Sequence, residues 1–140
     1  MKHKQANDIF YVIRLEKGEK IIEGIIDFCS KNKIRNGLFF GLGAINRVEL
    51  MHYVVDTKTY SSKIIEEPLE IANMTGNVMI MDSKPILHTH ITVSDKDMRP
   101  YAGHLKEATV AATCEVFLVK LDSEINRKYS EEIGLNLLDM

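Results

Sequence analysis

Cysteine is scarce in this 140-residue chain: Cys29 and Cys114 stand far apart, each inside an apolar stretch. They cannot build a disulfide framework or a Cys-x-x-Cys site, so both are expected as reduced, buried thiols. Long hydrophobic runs are missing too, and nothing approaches the ~20 apolar residues of a membrane span. The apolar run from Ile9 to Ile13 follows Lys2 and Lys4 but stops at Arg14, too short for a secretory signal, so the chain reads as soluble and cytoplasmic. There is no excess of one charge. Eighteen Lys and Arg against 20 Asp and Glu leave a net −2, which offers no attractive field to a phosphate backbone. A mild basic bias sits in the first 50 residues (9 basic, 6 acidic), where Lys2, Lys4, Lys31, Lys33 and Arg35 are scattered as on a solvated surface.

What is present is a chain 45% hydrophobic and 27% charged, long enough to bury the core of one domain spanning 1–140. Ile9 to Leu15 is β-branched and aromatic and predicts a strand, closed by Lys17-Gly18. From Glu19 to Lys31 the apolar residues Ile21, Ile22, Ile25, Ile26, Phe28 and Cys29 recur at three- and four-residue spacing, the mark of an amphipathic helix. Lys31 and Lys33 complement its C-terminal dipole. Beyond it the alternation predicts strands at Leu38–Phe40, Arg47–Val55, Thr59–Ile65, Leu69–Met74, Val78–Met81, Ile86–Val93 and Thr109–Lys120. Gly41-x-Gly43, Pro68, Gly76-Asn77 and Ser83-Lys84-Pro85 are read as the turns between them. Crossover helices for parallel pairing are lacking, so the expected fold is α+β: a mainly antiparallel sheet of about seven strands with one principal helix packed on it. The tail from Asn126 to Leu138 has no clear period, and its leucines are expected to dock on the core.

Chemistry concentrates at the histidines. His88 and His90 alternate in the strand Ile86–Val93, so both side chains leave the same face with Cα atoms roughly 7 Å apart. His104 follows Gly103 after a polar loop from Ser94 to Ala102, where a backbone lacking Cβ can approach a site closely. Three neutral imidazoles are a common ligand set for Zn²⁺ or another divalent transition metal, and without a fourth protein ligand they leave a position open. A His-x-His pair on a strand is also compatible with an ordinary surface feature. His3 and His52 have no such partners. Glu115 sits inside an otherwise apolar strand and either needs a partner, such as a metal-bound water, a histidine N–H or an arginine, or faces solvent from an edge. Arg14 is a similar case, able to clamp an anion or cap an edge. Gly41-Leu42-Gly43-Ala44 lacks the third glycine and the following helix of a dinucleotide site and reads as a tight turn.

Taken together, Thr75-Gly76-Asn77, Lys84-Pro85-x-x-His88-x-His90, Ser94-Asp95, Gly103-His104-Leu105 and Ala112-Thr113-Cys114-Glu115-Val116 resemble the plant and prokaryote conserved (PPC) domain. That domain stands beside AT-hook motifs in plants and alone in bacteria and archaea. Arg14-Leu15-x-x-Gly18, Gly41-x-Gly43-Ala44, Glu70-Ile71, Arg127 and Gly134-Leu135 extend the resemblance over nearly the whole chain. It implies an α+β fold, a homotrimer, and a metal on the histidines matching His88, His90 and His104. It also carries a DNA-binding label, although the Arg-Gly-Arg-Pro of an AT-hook is missing here, and Ala102 stands where the family usually has a second glycine. The fold is similar to that of acetolactate decarboxylase, a zinc enzyme with a His-x-His pair and a later histidine. Two functions follow: a nonenzymatic metal-stabilised trimer, or a metal-dependent lyase or hydrolase with Glu115 or Arg14 assisting.

Overall fold

The computed structural model describes all 140 residues. Nine strands and one helix follow in the order β1 (Lys2–Gln5), β2 (Phe10–Glu16), α1 (Ile21–Lys31), β3 (Asn36–Val54), β4 (Thr59–Ile65), β5 (Leu69–Met81), β6 (Lys84–Ser94), β7 (Pro100–Leu121), β8 (Arg127–Ser130) and β9 (Leu135–Leu138). Seven strands form one sheet in the order β1-β2-β7-β6-β5-β3-β4, and β8 and β9 make a separate hairpin. The strand pairs are antiparallel. The fold is the expected α+β, with one addition: β3 also pairs with β7, closing β3, β5, β6 and β7 into a ring.

Helix α1 covers this ring. Ile21, Ile25, Phe28 and Cys29 point inward from it into a core cluster that includes Ile13, Leu15, Phe39, Val110 and Val116. Burying each of the isoleucines and the phenylalanine contributes about 1.5–3 kcal/mol. Both cysteines are buried and free, and burial pushes their thiols up to about 12, so they act as small apolar residues. The first turn of α1 is capped from outside the helix. Lys20 at the N-cap offers no acceptor, and the Glu107 carboxylate of β7 takes the Ile22 N–H at 2.8 Å and the Glu23 N–H at 3.2 Å.

Two of the expected turns are strand interior. Gly41-x-Gly43 lies within β3, where the register against β5 shifts between Gly41 and Gly43. This is a bulge rather than a turn, and it needs glycine: Gly43 has φ +152°, and a Cβ there would lie 2.3 Å from the Thr113 carbonyl oxygen of β7. Leu38–Phe40 and Arg47–Val55 are therefore parts of one bent strand. Gly76-Asn77 likewise sits inside β5, and the actual hairpin turn is Asp82-Ser83, both with positive φ as a two-residue primed turn requires. The Ser94–Ala102 loop is shorter than expected, because β7 resumes at Pro100. Buried Asp95 closes it by accepting the Asp97 and Arg99 backbone N–H groups and the Arg99 Nε–H.

The tail leucines do not enter the core. Leu137 and Leu138 are exposed, and the β8–β9 hairpin is fastened by polar contacts instead. Asn36 exchanges hydrogen bonds with the Ile125 backbone, and the Tyr53 hydroxyl donates to the Ile133 carbonyl. Strand β1, all polar, is an exposed edge paired to β2. No helix of the protein is long and apolar enough to cross a membrane.

Candidate metal centre

The pleat of β6 puts His88 and His90 on one face, and the β6–β7 register sets His90 directly opposite His104. Ring centroids lie 5.1 Å apart for His88–His90, 5.3 Å for His88–His104 and 5.6 Å for His90–His104. One nitrogen of each imidazole falls within 4.8 Å of the others, with His104 half-buried. Nitrogens bound to one tetrahedral zinc would stand about 3.4 Å apart, so this donor set fits an ion after small side-chain movements. No Cys, Asp or Glu joins the three as a fourth ligand.

Burial and nearby positive charge keep the His88 and His104 rings unprotonated. Burial, then the charges of His88, His90 and Arg127, hold His104 down at about 4. Burial, then Arg127 and His90, also lowers His88. Both rings are neutral at pH 7, the form that can coordinate.

A cleft of about 320 Å³ opens on the histidines, lined by His88, His104, Tyr60 and Arg127 together with aliphatic side chains such as Leu87 and Leu137. Arg127 comes from β8 and is tied down on both sides. One terminal N–H donates to Asn77 Oδ1 at 2.9 Å and another to the Asn136 carbonyl at 2.8 Å. Asn77 is the cross-strand partner of His88, so the guanidinium is anchored one residue from the cluster. The sequence marks Arg127 only as part of the family pattern and Tyr60 not at all, because β8 and β4 reach the cleft only through tertiary contacts.

Gly103 serves a different purpose from the one expected: a Cβ there would lie 3.0 Å from the Met51 carbonyl oxygen, so the glycine lets β7 approach β3. Arg14 and Glu115 are cross-strand neighbours on β2 and β7, and neither lines the histidine cleft. Arg14 reaches Glu16 at 3.3 Å, and Glu115 is exposed on a strand flanked by both β2 and β3, not on an edge. His52 is exposed on β3, and His3 lies edge-on to Phe28.

The same face carries a second feature. Successive cross-strand partners run from His88 through Asn77 to Leu38, and from His90 through Thr75 and Phe40 to Phe117. Leu38, Phe40 and Leu42 are about half exposed, with Phe40 stacked on Phe117 at 5.2 Å.

The sequence pattern of the Plants and Prokaryotes Conserved (PCC) domain matches residues 2–122. A crystal structure from Bacteroides thetaiotaomicron, provisionally named a DNA-binding protein, is similar over 99% of this chain and 96% of its own, with 32% identity and a TM-score of 0.95. A metal-containing protein from Archaeoglobus fulgidus is similar over 94% of this chain and 93% of its own, with 34% identity and a TM-score of 0.89. Acetolactate decarboxylase from Bacillus subtilis shares the fold alone, at 11% identity and a TM-score of 0.56, over 90% of this chain and 58% of its own. No curated protein matches. With the family pattern spanning most of the chain, the protein belongs to the Plants and Prokaryotes Conserved domain family.

Proposed function

We propose that this chain is a metal-binding PPC domain that works as a homotrimer and holds a divalent ion, zinc by donor chemistry, on His88, His90 and His104. The observation that carries the reading is the convergence of three imidazole nitrogens within 4.8 Å. The metal-containing relative from Archaeoglobus fulgidus supports it. Imidazole without thiolate suits Zn²⁺, and Ni²⁺ or Co²⁺ would suit the same donors. The half-exposed row of Leu38, Phe40 and Leu42 supports association, because an apolar strip of that kind on a sheet face is an ordinary site of protein contact. DNA enters through the name of the Bacteroides relative. With a net charge of −2, contacts of this chain to phosphates are few and any DNA affinity is weak.

A metal-dependent lyase or hydrolase is the second reading, favoured by the cleft of about 320 Å³ and by the missing fourth ligand, since structural zinc sites are closed. A zinc held by His88, His90 and His104 would supply Lewis-acid chemistry to a molecule in the cleft. The chain's own part is to keep His88 and His104 neutral and to present the Arg127 cation beside them. The arrangement of Arg14 and Glu115 on β2 and β7 gives them no part in that cleft. Elemental analysis after zinc loading and desalting tests the centre: one ion per chain is expected, and none would overturn it.

A further inference from the structure

Arg127 is a cation without an anion. Its guanidinium is half-buried, and burial pulls it below the ordinary arginine range. None of the protein's ion pairs includes it. Both of its anchors, Asn77 and Asn136, are neutral, and its Nε–H, shielded from water, has no acceptor. Of the five N–H donors a guanidinium carries, two are engaged. A half-buried charge left in this condition is costly, whereas a bound carboxylate would match the fork geometry and the charge together. The remaining walls of the cleft are largely aliphatic, with Ile86, Leu87, Leu135 and Leu137, which suits a hydrocarbon tail and not a fully polar anion.

We propose that Arg127 and the histidine cluster together bind a short-chain organic carboxylate, the carboxylate on the guanidinium and its carbon chain against Leu87 and Leu137. The proposal rests on the metal reading, because the ion supplies the second positive group of the cleft. Asn77 is a positioning residue: it holds the guanidinium beside His88 and leaves the other donors free.

Isothermal titration of the zinc-loaded protein with isovalerate tests this, with zinc content measured on the same samples. Saturable binding of isovalerate is expected, with at least tenfold weaker binding of the neutral isostere isovaleramide and of acetate, which lacks the tail. Arg127→Gln should lose at least tenfold in isovalerate affinity and Arg127→Lys should retain part of it. Should Arg127→Gln loosen the β8–β9 hairpin, Asn77→Asp gives an independent arm: it offers the guanidinium a protein carboxylate and should abolish isovalerate binding with the thermal transition retained. In the unaltered protein loaded with Co²⁺, isovalerate should also shift the visible absorption bands. Bound zinc with no isovalerate binding, equal binding of isovaleramide, or inorganic phosphate binding as tightly as isovalerate would overturn the carboxylate site and leave the metal centre standing. No zinc in any sample would overturn both.

Discussion

The Glu107 carboxylate accepts the Ile22 backbone N–H at 2.8 Å, so the start of the helix is capped by a strand far away in the sequence. A cap borrowed in this way couples α1 to β7, and it places a negative charge at the positive end of the helix dipole. Glu107→Ala should destabilise the protein by about 1–2 kcal/mol, the cost of losing a cap, and Glu107→Gln by less because its side-chain oxygen still accepts. Chemical denaturation midpoints of the two variants check this.

His90 faces His104 across the β6–β7 pair, whereas His52 lies exposed on β3. His90→Ala should therefore lose most of the zinc affinity and His52→Ala none. Equal metal content in the two variants by elemental analysis would count against the three-histidine centre.

Acid should weaken the metal-free fold in a defined window. His104 is held at about 4 in the folded protein against about 6.5 for a free histidine, so the unfolded chain takes up a proton that the folded chain refuses. Stability is then greatest above pH 6.5, falls as the pH drops from 6.5 toward 4, and is not lowered further by this group below that. Lowered His88 acts in the same direction. Glu16, Glu19 and Asp95, whose carboxyls are also lowered, take over at still lower pH. Urea midpoints measured against pH should show the upper slope, and His104→Asn should flatten it. The same depression lets zinc resist proton competition at His104 to a lower pH than an ordinary imidazole would.

Sedimentation should give three chains per particle, and Phe40→Asp, which places a charge in the half-exposed apolar row, should shift it toward single chains. A concentration-independent monomer of the unaltered protein would remove the trimer.

In a mobility-shift assay with AT-rich duplex, binding should be weak and vanish with modest salt, given the net charge of −2. Tight, salt-resistant retention would contradict that.

The helix and most strands were legible because their apolar residues repeat at the period of the element that buries them. The histidine pair was legible for the same reason: alternation on β6 carries both rings to one face, whatever the tertiary context. Glycine was the ambiguous letter. At Gly43 it permits close contact with the Thr113 carbonyl, and at Gly103 close contact with Met51, and neither purpose differs in sequence from a turn. Strand β1 escaped because Lys2, His3, Lys4 and Gln5 are all polar, as suits an exposed edge. Arg127 is recognisable in the sequence only as part of the family pattern, because its place beside His88 depends on the hydrogen bond to Asn77, a contact between distant segments.

The ladder between β3 and β7 joins Met51 to His104 and Asn36 to Leu121, closing loops of about 50 to 85 residues. Pairings that distant in sequence are slow to find, whereas His88, His90 and His104 all belong to the neighbouring strands β6 and β7. The three imidazoles therefore need only the local β6–β7 hairpin to meet, whereas Arg127 reaches them only when the C-terminal β8 docks against β5. An ion held there would staple β6 to β7, and so would brace the ring of β3, β5, β6 and β7 at its most local joint rather than at the distant β3–β7 seam.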